Sequence, residues 1–229
     1  KRSTKLQNKL KVNNAIDSEK IIILDFGSQY TQLIARRIRE LGVYSEILSF
    51  DTSYKNIQKA NPKGIIISGG PESVNAKNTL KVDPKILESE IPVLGICYGM
   101  QLMSKHFRGS VNTSKKREFG QAEIKLNKSK LFQGIKISTL NVWMSHGDKV
   151  IKLPKGFKKI ASSKNSPIAA FENNSIRKYG LQFHPEVTHT EKGAQILKTF
   201  VREICGCQTK WRTKNLVGKL VDDIKKQIG

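Results

Sequence analysis

Between Pro92 and Phe107 the short apolar run Val93-Leu94-Gly95-Ile96 passes at Cys97 straight into a helical pattern, and this stretch constrains the chain most. Tyr98, Leu102 and His106 recur every four residues, with Met103 and Phe107 on the adjoining row. A run that short, bounded by Pro92, reads as a buried parallel strand. Cys97 stands at the join, between Gly95 and Gly99. That is the spacing of a nucleophile elbow, with sulfur in place of the serine hydroxyl. Such a turn lifts the thiol above a sheet and leaves it at a helix N-terminus. There the helix dipole and free backbone N–H groups favour the reactive thiolate. A lone cysteine in a buried strand is otherwise a small apolar core residue. The two glycines and the switch from strand to helix favour chemistry.

The same alternation recurs upstream. Ile21 to Asp25 reads as a buried first strand, turned by Phe26-Gly27-Ser28 into a helix over Gln29 to Leu41 that Gly42 ends. Tyr44 to Leu48 and Gly64 to Ser68 read as further strands, and Ile57 to Ala60 and Pro84 to Glu88 as short helices. Strands alternating with helices across glycine turns predict an α/β fold: a mostly parallel central sheet with helices on both faces. Beyond Phe107 the pattern is strand-rich. Candidates are Gly120 to Leu126, Thr139 to Met144, Lys159 to Ser162, Pro167 to Phe171 and Tyr179 to Phe183, an antiparallel extension of the sheet. Helices are predicted over Thr190 to Cys205 and Asn215 to Ile228. In parallel sheets the site lies off the carboxyl ends of the strands. Asp25-Phe26-Gly27, Ser68-Gly69-Gly70 and Cys97 fall at such ends and should converge.

Composition narrows the function classes. No apolar run in the 229 residues approaches the roughly 20 that a membrane helix needs. The formal charge of +22 favours an anionic partner, and a basic RNA-binding module is one reading. The lysines are scattered, however, and aromatics are few, so no basic–aromatic stripe for base stacking forms. No membrane and no specific nucleic-acid partner is expected. Three cysteines make no disulfide framework, and Cys205-Gly206-Cys207 without a partner pair is a weak metal signal. No metal site is expected, and the compartment reads as reducing and cytoplasmic. Lys1 to Lys20 form a polar, basic extension.

A cysteine nucleophile needs a base. His106 reads as structural, on the core-facing row of the elbow helix, and His189 lies in a polar loop. His146 lies in Ser145-His146-Gly147-Asp148, read as a strand-end turn. His184 follows an apolar strand, and in extended chain Glu186 projects to the same side. The carboxylate can then orient the imidazole, completing a triad. Oxyanion donors are available from the backbone N–H groups of Tyr98, just past the nucleophile, and Gly70, after the third strand. Ser68-Gly69-Gly70-Pro71-Glu72-Ser73 is like the S-G-G-x-D-S phosphate loop of ATP pyrophosphatases, but Pro71 removes a backbone donor such a cradle needs.

Together, Gly95 to Gln101, Ser68 to Pro71 and His184 to Glu186 resemble the class I, triad-type glutamine amidotransferases, whose fold is flavodoxin-like and three-layered. Asp25 to Leu33, Arg117 to Gly120, Trp143 to Asp148 and Gly180 to Val187 are similar to the amidotransferase half of the GMP synthase family. The resemblance covers about Ile21 to Cys207. It implies that Cys97 attacks L-glutamine and forms a thioester, that His184 moves the protons, and that Glu186 orients it. It implies that Gly70 and Tyr98 form the oxyanion hole. Gln101, Ser145, His146, Gly147 and Asp148 would hold the glutamine's amino and carboxylate groups. No cofactor is implied for residues 21–207; ATP and Mg²⁺ are implied for a full-length enzyme. Residues 208–229 would lead into an ATP pyrophosphatase domain, which, with a dimerisation domain, would be the natural partner. Another triad amidotransferase or a γ-glutamyl hydrolase would share the elbow.

Overall fold

Ile21 to Leu24 are fully buried because both faces of their strand are covered. Ile21 and Ile23 pack with Ile34, Ile38, Leu94 and Ile96 on one side. Ile22 and Leu24 pack with Ile65, Ile67, Val93 and Met103 on the other. Each such side chain stabilises the fold by about 1.5–3 kcal/mol through burial. The computed structural model describes residues 19–208 and 211, with only the backbone described at 114–117. The expectations for Lys1 to residue 18 and for a helix over Asn215 to Ile228 lie outside the described residues.

Among the described residues, nine strands, numbered in chain order, form one sheet in the order β2-β1-β3-β4-β9-β8-β7-β5-β6. Strands β1 (Lys20–Asp25), β2 (Tyr44–Ser49), β3 (Gly64–Ile67), β4 (Val93–Ile96) and β9 (Lys178–Leu181) are parallel. Strands β5 (Ser110–Leu126), β6 (Thr139–Lys152), β7 (Lys158–Ser163) and β8 (Ala170–Asn173) form the antiparallel extension. The architecture is therefore the expected α/β one, with two corrections. Strand β9 belongs to the parallel core, pairing Val93 with Lys178 and Ile96 with Leu181. Its four fully buried residues follow from pairing on both edges and cover on both faces. Strands β5 and β6 also run much further than expected, because they continue past a register shift and pair Val111 with Val150.

Helices α1 (Thr31–Glu40), α2 (Tyr54–Ala60), α3 (Pro84–Glu88), α4 (Tyr98–His106) and α5 (Gly193–Lys198) cover the sheet. Helix α1 starts two residues later than predicted. The Asp25 carboxylate accepts from Gly27 N at 2.9 Å and from the Thr31 hydroxyl at 2.7 Å, holding Gly27 to Tyr30 in a turn. Helix α5 also starts late and passes into a π-helical turn over Thr199–Ile204. The Thr190 hydroxyl is taken up outside the helix, donating to His184 O at 2.7 Å and accepting from Trp143 N at 3.0 Å. His106 is only partly buried, 3.5 Å from Glu88, so it edges the core instead of facing it.

Candidate active site

The elbow is as sharp as its glycines suggest. Cys97 has φ 52° and ψ −104°, a backbone region that costs a non-glycine residue about 1–3 kcal/mol. A Cβ on Gly95 would lie 2.5 Å from the carbonyl carbon of Gly99, and one on Gly99 would lie 2.5 Å from Ile67 O. Both contacts are with backbone, which cannot move aside. Gly95→Ala should therefore destabilise by about 1–3 kcal/mol or more. At about 2–4 °C per kcal/mol, a melting temperature unchanged within 1 °C would contradict this account of the elbow. Cys97 N donates to Leu181 O at 2.7 Å, which ties the nucleophile to the strand leading to the histidine.

His184 and Glu186 meet as expected, by a different route. Pro185 and Glu186 lie in a turn, not in extended chain. The turn is pinned by His184 N donating to Trp143 O at 3.1 Å and by Arg37 Nε donating to Glu186 O at 3.0 Å. His184 Nδ1 donates to Glu186 Oε1 at 2.8 Å, and both side chains are buried. No donor reaches Glu186 Oε2 among the described residues, so the imidazole is this carboxylate's side-chain partner. Burial alone would lower the His184 pKa. Hydrogen bonding to Cys97 and Glu186, with the Glu186 charge beside the ring, outweighs burial and raises it to about 10. The ring thus holds a proton between sulfur and carboxylate at neutral pH. The thiol itself lies 3.5 Å from Ser145 O and 3.7 Å from Gln182 Nε2.

Two clefts meet at Cys97. One, of about 290 Å³, is lined by Gly70, Ser73, Cys97, Tyr98, Gln101 and Ser145 to Asp148, among others. All ten site residues predicted from the sequence thus come together, eight around this cleft, with His184 on the second cleft and Glu186 hydrogen-bonded to it. The other, of about 260 Å³, is lined by Gly27 to Tyr30, Gly70, Pro71, Cys97, Ser145 and His184. Tyr98 is the first residue of α4, so its N–H has no intrahelical acceptor. At Gly70 a Cβ would lie 2.8 Å from Phe26 O, so only glycine brings this backbone to the cleft. One expectation fails here. Ser145 to Asp148 do not form a turn but lie inside β6. Leu140, Val142, Met144, His146, Asp148 and Val150 all point inward, so the polar pair interrupts a buried apolar row. The Gln101 amide donates to Asp148 O at 2.8 Å, and the Ser73 hydroxyl donates to the Asp148 carboxylate.

Several site residues were not singled out from sequence. Gln182 bridges Gln101 and the sulfur, and Tyr30 packs edge-on to His184 with ring centroids 5.1 Å apart. Glu118 lies 3.1 Å from His146 Nε2. A usable signal existed for Gln182, two residues before the base on the same strand end. Cys205 and Cys207 are buried and free. Burial pushes the Cys205 thiol well up and the Cys207 thiol up to about 12, so neither competes as a nucleophile. Among the described residues no cluster of His, Cys, Asp or Glu could hold a metal ion, and no helix is long and apolar enough to cross a membrane.

Comparison with known proteins identifies the family. The pattern of the glutamine amidotransferase class-I family matches residues 22–204. The chain is 49% identical over 215 residues to a glutamine-hydrolysing GMP synthase of Vibrio vulnificus, covering 93% of this chain and 41% of that protein. It is 51% identical over 220 residues to the Ruthia magnifica enzyme of that name, covering 94% and 42%. The chain thus spans about two fifths of the length of these curated relatives. Among solved structures, a putative GMP synthase subunit from Thermoplasma acidophilum superposes with TM-score 0.72 at 32% identity, covering 82% of this chain and 94% of that one. A glutamine amidotransferase of Thermotoga maritima shares the fold, with TM-score 0.66 at 18% identity over 82% of this chain and 98% of that one. The chain belongs to the class I glutamine amidotransferase family.

Proposed function

We propose that this chain hydrolyses L-glutamine to glutamate and ammonia, and that in the whole protein the ammonia converts XMP to GMP. The observation that carries the reading is a buried His184 ring, hydrogen-bonded to Glu186 and to Cys97, beside a cleft sized for a small amide. The Cys97 sulfur attacks the side-chain carbonyl carbon, and the oxygen takes the negative charge near the N–H groups of Gly70 and Tyr98. His184 gives its proton to the departing nitrogen, the C–N bond breaks and ammonia leaves from a thioester. Water then attacks with His184 as base, the C–S bond breaks, and glutamate leaves. The second cleft, against His184 and Tyr30, is the side from which water arrives and ammonia departs. Asp148 and Gln101 hold the amino-acid end.

ATP and Mg²⁺ would serve the synthetase step on the remaining part of the protein. The Ser68 to Ser73 loop does not fit a nucleotide, since Pro71 offers no N–H and Ser73 is engaged with Asp148. The proposed partners are L-glutamine and that ATP pyrophosphatase part, and the proposed compartment is the cytoplasm. Mass spectrometry after treatment with a glutamine-analogue alkylator tests the reading. One adduct on Cys97 is expected, protected by glutamine, with none on Cys205 or Cys207. Labelling that glutamine does not slow would refute it.

A further inference from the structure

We infer that Glu118 is a positioning residue for the amino-acid end of the substrate, acting through His146 and Asp148. The inference rests on the glutamine reading above and extends it to a residue outside the cleft's triad and binding stretch.

Glu118 and His146 face each other across β5 and β6, directly after the register shift between Thr113 and Glu118. Such shifts re-aim side chains next to active sites. Here Phe119 is left 65% exposed, while the Glu118 carboxylate is turned inward. Its Oε2 accepts from the fully buried Ser166 hydroxyl at 3.0 Å and lies 3.1 Å from His146 Nε2. Burial pushes the Glu118 pKa up. Hydrogen bonds from His146 and Ser166 outweigh it and hold the carboxyl below its ordinary value. The other ring nitrogen, Nδ1, lies 2.9 Å from Asp148 O, an acceptor with no proton to give, so Nδ1 must donate. The ring is clamped at both nitrogens.

The same Asp148 carbonyl accepts from Gln101, so two donors fix the backbone at Asp148 from behind. What they aim is the Asp148 carboxylate, which is buried beside the cleft. Among the described residues its side-chain partner is the neutral Ser73 hydroxyl, not a cation. A buried carboxylate without a cation is costly and attracts an ammonium group, here the substrate's. Loosening Glu118 would let this carboxylate drift, weakening binding of the amino-acid end without touching the sulfur.

Alkylation kinetics on this chain separate the possibilities. Cys97 is treated either with a glutamine-analogue alkylator or with iodoacetamide, which lacks an amino-acid end. Glu118→Gln keeps the shape and removes the charge. Its inhibition constant for the analogue should rise about tenfold, with the maximal inactivation rate and the iodoacetamide rate unchanged within twofold. Ser166→Ala, which removes one hydrogen bond to Glu118, should shift the same constant in the same direction by less, and serves if Glu118→Gln does not fold. An unchanged inhibition constant in both variants overturns the inference. So does a parallel fall in reactivity toward both reagents, which would mean that Glu118 only supports the fold. If the wild-type chain shows no preference for the analogue over iodoacetamide, the glutamine reading itself fails.

Discussion

Cys97→Ala should lower glutamine hydrolysis on the order of 10⁶-fold, to the background of uncatalysed reaction in a preformed oxyanion site. In the whole protein, synthesis from added ammonia should survive, because the sulfur acts only in releasing ammonia. The stability effect should be small and informative. Cys97 is in the core, yet its backbone is held at φ 52° and ψ −104°, a conformation that alanine shares and glycine escapes. Cys97→Gly should therefore be more stable than Cys97→Ala by up to about 1–3 kcal/mol, despite losing one more carbon. Ordinarily glycine is the worse of the two. Two results would sink this account: residual hydrolysis above about 1% in the alanine variant, or loss of ammonia-dependent synthesis along with glutamine use. The second would mean that the sulfur supports the structure.

Much of the parallel core was legible because its strands are short, continuous apolar runs bounded by glycine and proline turns. Ile21 to Leu24, Gly64 to Ile67 and Val93 to Ile96 are each buried throughout. The elbow was legible because two glycines and a change of period converge on one cysteine. Failures came where tertiary partners decide. Nothing local in Lys178 to Leu181 tells a parallel partner from an antiparallel one, and this strand has one of each. It even begins with a fully buried lysine, satisfied by the Ser89 and Ile91 carbonyls at 2.8 Å each. Burial, with Arg177 beside it, lowers that amine to about 8. The Ser145 to Asp148 stretch was misread as a turn because polar residues and a glycine look like one. The period-two row from Leu140 to Val150 carried the correct answer. Glu118 was invisible as a site residue because its role depends on a cross-strand register that a shift in β5 sets.

Glu186→Gln is the second variant with a large expected effect. Glutamine keeps the shape and an acceptor for His184 Nδ1, and removes the charge. Loss of the orienting carboxylate costs serine-protease triads about 10⁴ in turnover, and a similar fall is expected here with KM changed little. The pH dependence follows from the same contact. His184 is held up at about 10 by Cys97 and Glu186 against the lowering effect of burial, from an ordinary value near 6.5. The wild-type ring therefore stays protonated between those values, and no limb in Cys97 alkylation from loss of the ring's proton is expected across the window. Without the Glu186 charge, burial is opposed by less. The His184 pKa falls, and the variant's alkylation rate should acquire a pH-dependent limb near neutrality. Stability carries the matching sign. A group whose folded pKa is raised contributes stability that is complete below about pH 6.5 and is lost as pH rises through about 10. The melting-temperature gap between wild type and Glu186→Gln should thus be widest near pH 6 and narrow toward pH 10. A gap constant across that range, with the same alkylation profile in both proteins, would mean that the Glu186 charge does not hold the proton on His184 and that the charged pair proposed here does not exist.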